Sequence, residues 1–201
     1  MRAKFILLLP VTALALQAAE IIDIGSRREL FVDHLLIARM EGVGLRLHRP
    51  VPREIVFKFD QPWEGIYSGY ETVLKDGDTY RFYYQSIHLR RYTIRPDGFV
   101  SVQAAHEGGE LLTKPFLFQG NELSLNYETS AAGGLWVEIQ KPEGNAIEGF
   151  SLEDCAEIIG DRLEHAVRWK GGTNVGALSG KPVRLRVRMK DADLYSIQFG
   201  G

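Results

Sequence analysis

The stretch KPVRLRVRMKDADLYSIQF, residues Lys181–Phe199, alternates apolar and charged side chains through most of its first half. Val183, Leu185, Val187 and Met189 fall on one side of an extended chain, and Arg184, Arg186, Arg188 and Lys190 on the other, because successive Cβ atoms of a strand point to opposite faces. One apolar and one charged face is the pattern of an antiparallel sheet covered on one side only. Working outward, further strands are read at Phe99–Ala105, Glu110–Thr113, Glu122–Glu128, Leu135–Lys141 and Glu164–Trp169, with the quoted stretch divided into Val183–Lys190 and Leu194–Phe199. Short strands broken by frequent turn residues predict an antiparallel, jelly-roll-like β-sandwich over residues 95–201. Ser151–Ile158 opens with Ser-x-x-Asp, a start that caps one helical turn, and Asn174–Leu178 reads as a second short turn.

Upstream, short strands are read at Glu29–Val32, Val43–His48 and Ile55–Phe59. The clearest local signal is a hairpin, Tyr70–Leu74 and Thr79–Gln85 around Lys75-Asp76-Gly77-Asp78, where Asp-Gly supplies the backbone a tight turn requires. Aromatic residues on both faces of its second arm predict a strand covered on both sides. Arg95-Pro96-Asp97-Gly98 then makes a turn. Residues 20–94 are therefore expected to form a first region, a partial blade or meander, ahead of the sandwich. Residues 1–19 read as a signal peptide, with Arg2 and Lys4 before the apolar run Phe5–Leu16 and small residues at Ala18 and Ala19. Export, to the periplasm or beyond, follows from that reading.

The net charge of −2 gives no attraction to nucleic acid or to an anionic membrane. The single cysteine, Cys155, excludes an intramolecular disulfide and reads as a small buried hydrophobe. The five histidines are scattered without ligand spacing, and no cofactor motif is present, so neither a metal nor a cofactor is expected.

RPDGFVSV (Arg95–Val102), GGELLTKPF (Gly108–Phe116), GFSLEDCAEIIGD (Gly149–Asp161), VRWKGG (Val167–Gly172) and LSGKPVRLRVRMKDADLYSIQF (Leu178–Phe199) resemble the C-terminal sandwich of secreted, five-bladed β-propeller proteins related to glycoside hydrolases of families 32 and 43. RRELFVDHLLI (Arg27–Ile37), LRLHRPVPRE (Leu45–Glu54), DQPWEG (Asp60–Gly65) and YETVLKDGDTYRFYYQ (Tyr70–Gln85) resemble the start of the propeller in the same proteins. Five blades of roughly 40–50 residues need upward of about 200 residues, so residues 20–94 supply one blade and part of another. The resemblance implies a carbohydrate-associated protein lacking most of the catalytic propeller, and so a non-catalytic sugar-binding or accessory module. Two alternatives stand beside it: a glycoside hydrolase completed by oligomerisation through an exposed blade edge, and a packing module without a ligand.

Glycoside hydrolysis needs two carboxylates facing each other across the bond. The candidates left for it are Asp60 and Glu64, which flank Trp63 in DQPWEG. A carboxylate beside an indole also suits sugar binding, since the ring stacks on the apolar face of a pyranose while the acid accepts hydroxyl hydrogen bonds. Glu71, at the start of a strand, is a further substrate-binding candidate, and Asp33 and His34 read as turn-capping residues. In the sandwich, Trp136 shares a strand face with Glu138 and Gln140, which makes it a sugar platform or the filler of an interface with the first region. Trp169 reads as core, and the arginine row 184, 186, 188 as a solvated face paired across to acids.

Overall fold

The computed structural model describes residues 21–58, 72–85 and 88–201, with the backbone alone at 55–58, 82–85 and 88–91. The chain is all-β. Its strands are β1 (Ile22–Gly25), β2 (Arg28–Leu30), β3 (Ile37–Glu41), β4 (Val43–Leu47), β5 (Val51–Lys58), β6 (Thr72–Asp76), β7 (Thr79–Gln85) and β8 (His88–Ile94). They continue as β9 (Val100–Ala104), β10 (Gly109–Thr113), β11 (Phe116–Phe118), β12 (Glu122–Gln140), β13 (Asp161–Ala166) and β14 (Arg184–Gly200). The two turns read from the sequence are present. Ser151 Oγ donates to Asp154 at 2.8 Å and the Cys155 N–H to Ser151 O at 3.1 Å, closing one turn. Gly176–Leu178 is a short 3₁₀ turn.

The centre of the sandwich is the antiparallel pair β12–β14. Each was read from the sequence as two strands, and each is continuous. The breaks in alternation are register shifts. Asp191, with φ 42°, lies opposite the excursion between Thr129 and Gly134, and Tyr195 is an extra residue between the pairs Asn126–Ser196 and Tyr127–Leu194. Each shift reverses which side of the strand faces the core. Leu185, Val187 and Met189 are buried before the first, Ala192 and Leu194 between the two, and Ile197 and Phe199 after the second. On its other edge β14 accepts β10 at 186–189, β9 at 192–194 and β2 at 196–198. β3 pairs with β10, β4 with β9 and β13 with β12. One hydrophobic cluster takes side chains from β1, β3, β9, β10, β11, β12 and β14, with Phe118 and Phe199 stacked at 3.9 Å. Trp169 is 2 % exposed in it and donates its indole N–H to Val137 O at 2.9 Å.

These pairings move a boundary. Residues 22–47, grouped in the sequence with the first region, are strands of the sandwich: β2, β3 and β4 join its large sheet and β1 pairs in parallel with β11. What decides this is hydrogen bonding to strands more than 50 residues away in sequence, which no local pattern displays. Among the described residues β5–β8 form a four-stranded sheet of their own, in the order β5-β8-β7-β6. It has the four strands of one blade. Their order is that of a Greek key, with β5 returning beside β8, where a meander would run β5-β6-β7-β8. β6 forms one edge, and all five of its residues are exposed. Tyr80 of β7 packs its ring against Phe99, while the side chains of Phe82, Tyr83 and Tyr84 lie outside those described.

The junction between this sheet and the sandwich is the turn Arg95–Gly98. The Gly98 N–H donates to Arg95 O at 2.8 Å, and Asp97 takes φ 59° behind Pro96, the form of a type II turn. The Arg95 side chain runs into the sandwich. Its Nε donates to Asn126 Oδ1 at 2.7 Å, one terminal nitrogen donates to the carbonyls of Tyr127 and Arg162 at 2.9 and 2.7 Å, and the other pairs with Asp161. The guanidinium also lies over the Tyr195 ring, 4.9 Å from its centroid. Asp97 adds a second tie, accepting from Ser196 Oγ at 2.8 Å and from Arg28 and Asn126 at 3.2 Å. Replacing Arg95 by leucine removes the donor from the partly buried Tyr127 carbonyl and Asn126 amide oxygen and from the more exposed Arg162 carbonyl. Unfolding in urea should show a loss of about 2–3 kcal/mol, and Arg95→Lys should recover only part, since one ammonium cannot reach partners on three sides.

Candidate functional site

The charged side of the ladder carries the one sugar-contact candidate that falls among the described residues. Register places Glu41, Glu110, Arg188 and Trp136 side by side across β3, β10, β14 and β12. The next row places Arg186 opposite Glu138. Trp136 is partly buried, and the Arg188 guanidinium lies over its ring at 4.9 Å from the centroid, a contact worth roughly 0.5–1 kcal/mol at an exposed site. The ring leans on Gly134, two residues back on the same face. A Cβ there would stand 3.0 Å from the indole and 3.1 Å from Glu157 Oε1, so a side chain at 134 would push the platform away. Trp136 thus lies on the charged side of the sandwich, partly buried and packed at its inner edge against the core.

Beside it lies a depression of 420 Å³, walled by Trp136, Arg188, Lys190, Glu107 and Glu110 over the backbone of Gly108 and Gly109. The glycines keep the floor low. Gly109 is required there on packing grounds, since a Cβ would meet Glu41 O at 2.4 Å. Glu110 is fixed by Arg186, which donates to both its oxygens at 3.0 and 2.6 Å, and this pairing raises the Arg186 pKa. Glu138 accepts from Gln140 at 2.6 Å and from the Leu152 N–H at 3.2 Å. The arginine row therefore divides: Arg186 is paired to acids, Arg184 donates to Pro142 O at 3.3 Å, and Arg188 covers Trp136. An indole with hydrogen-bond donors on one side and acceptors on the other can hold a polyhydroxylated ring.

Asp60, Trp63, Glu64 and Glu71 lie outside the described residues, as does the segment 1–19 that reads as a signal peptide. Asp33 caps its own turn by accepting from the Leu35 N–H at 2.7 Å. Among the described residues no group of three His, Cys, Asp or Glu side chains comes together as metal ligands, and no helix is long and apolar enough to cross a membrane. Cys155 is buried, and burial raises its thiol pKa, so the thiolate that would react is disfavoured.

The fold also assembles a set that the sequence did not suggest: His48, Ser101 and Asp193, brought together where β9 lies between β4 and β14. His48 Nε2 is 2.9 Å from Ser101 Oγ, and Ser101 Oγ donates to Asp193 at 2.5 Å. In a nucleophilic triad the acid holds the second ring nitrogen of the base, and the serine faces substrate. Here the serine stands between the other two and is 0 % exposed. With its proton on Asp193, the hydroxyl accepts from His48, so the imidazole carries its proton on Nε2. The set is a partly buried hydrogen-bond chain whose serine is closed to a substrate. No family model, no curated protein and no solved structure matches the chain.

Burial lowers the pKa of His48 despite the opposing charge of Asp193, and burial together with Arg162 lowers that of His165. Both rings protonate more readily in the unfolded chain, where the ordinary value is 6.5. Their contribution is complete above that pH and is lost as pH falls through the lower folded-state values. Calorimetry should show Tm dropping from pH 7.5 to 5. A His48→Gln/His165→Gln protein should lose less over the same interval; an equal drop would assign the effect to the carboxylates.

Proposed function

We propose that the protein is a non-catalytic, carbohydrate-binding module that works outside the cell, derived from a glycoside-hydrolase-like propeller parent. The observation that carries this reading is Trp136, a large aromatic ring on the charged face of a sheet, bordering a 420 Å³ depression with Arg188 and Lys190 as donors and Glu107 and Glu110 as acceptors. A tryptophan whose only task is packing belongs in the core, as Trp169 does at 2 % exposure. Sugars need a flat apolar face beside polar groups that exchange hydrogen bonds with hydroxyls, and this depression offers both once the exposed Arg188 side chain swings off the indole. The engagement of Glu110 by Arg186 favours binding over bond cleavage at this place. The apolar run at Phe5–Leu16 and the resemblance of the sandwich segments to secreted enzymes support an extracellular role.

Titration with a panel of soluble plant and algal polysaccharides tests the reading, with tryptophan fluorescence and calorimetry as readouts. At least one polymer should bind and alter the fluorescence, and Trp136→Ala should weaken binding about tenfold or more, roughly 1.4 kcal/mol. Circular dichroism should show the variant still folded. No reducing ends should be released. Equal binding by a folded Trp136→Ala protein would remove the platform from the account.

A further inference from the structure

The cleft between the four-stranded sheet and the sandwich has a volume of 310 Å³ and is lined by Arg49 and Arg53, by Asp78, and by an apolar wall of Val51 and Ile94 with the nearly buried Tyr195 behind it. We propose that this cleft binds the oxyanion group of an acidic sugar, a uronate carboxylate or a sulfate ester, while the wall receives the sugar ring. The inference rests on the carbohydrate reading above and names its ligand class.

Three observations carry it. First, Arg49 and Arg53 form no ion pair with a described residue, whereas the neighbouring cations Arg46 and Arg95 are paired to Asp193 and Asp161. The uncommitted positive charge in the cleft exceeds the single carboxylate of Asp78. Second, the Arg53 Nε donates to Thr93 Oγ1 at 3.0 Å across the β5–β8 pair. That bond orients the guanidinium and leaves its two terminal nitrogens, the edge suited to grip an oxyanion, without a described partner. Third, the wall is held in place from behind. Tyr195 is 3 % exposed, its ring packed between His48 at 5.2 Å and the Arg95 guanidinium at 4.9 Å. Its hydroxyl donates to Glu128 at 3.2 Å. Arg95 itself directs four of its five N–H donors into the sandwich and supplies field more than contact. A ligand with an apolar ring face and a fixed negative group matches such a cleft; a neutral sugar leaves two guanidinium groups unanswered.

Calorimetric titration of the whole chain with tetragalacturonate, a sulfated galactan tetrasaccharide and neutral galactotetraose tests the proposal. One or both acidic probes should bind at least tenfold more tightly than the neutral one, the carboxylate and sulfate arms showing which group is taken. Binding should weaken with added salt, as charge contacts at a surface do. Arg49→Gln/Arg53→Gln should abolish the preference, and Asp78→Asn should strengthen binding of the acidic probe. Unchanged binding in the double arginine variant overturns the proposal. Equal affinity for the neutral probe overturns it while leaving the carbohydrate reading intact, and no binding of any saccharide in this panel or the polysaccharide panel overturns both.

Discussion

The guanidinium of Arg95 is the point on which the arrangement depends. It leaves the four-stranded sheet at the end of β8 and enters the sandwich where β12, β13 and β14 meet. Its five N–H donors in one plane suit that place. Tyr127 and Arg162 are cross-strand partners beside a register shift, and one terminal nitrogen spans both of their carbonyls. A shift in a ladder leaves backbone acceptors unused, and burying them without donors costs free energy. The side chain that satisfies them also fixes the direction in which the chain approaches the sandwich. Pro96 and the left-handed Asp97 complete the corner, and the Asp97 carboxylate is held by Arg28, Asn126 and Ser196. Strands distant in sequence are thereby tied to one turn.

Much of the sandwich was legible because a half-covered strand writes its burial into every second residue. Val183 to Lys190 alternate as read, and Val183, Leu185, Val187 and Met189 are all within 1 % of full burial. Two features left no such mark. The continuity of β12 and β14 was hidden because a bulge interrupts the alternation as a loop does. The membership of β1 to β4 was hidden because pairing partners are chosen by the core they cover together, and Ile24, Phe31 and Ile37 show their destination only once Phe116, Phe118 and Phe199 are beside them.

The candidate surfaces were legible to different degrees. Trp136 was visible as an aromatic residue out of phase with the apolar set of its strand, and its neighbours Arg188 and Glu110 followed only from register. The arginine row carried no sign that its members would take three different partners. His48, Ser101 and Asp193 are joined solely by the pairing of β4, β9 and β14, and each alone is an unremarkable polar residue. Arg49 and Arg53 belong to a stretch whose importance comes from the sheet that closes over it. Chemistry built from one strand can be read along the chain, whereas chemistry built between strands waits for their register.

The two reversals along β14 have a consequence for how this chain can change over time. Substitutions on the outward side of Arg184–Lys190 alter side-chain pairings on that face but leave the alternation and the core side in place, so that surface can change one residue at a time. Loss of one residue at Asp191 is a different event. It would remove the offset and ask either the charged or the apolar set beyond it to exchange sides, with β9 and β2 obliged to follow. The strand therefore tolerates altered letters far better than altered length, and variation among descendants of this sequence should gather in the former.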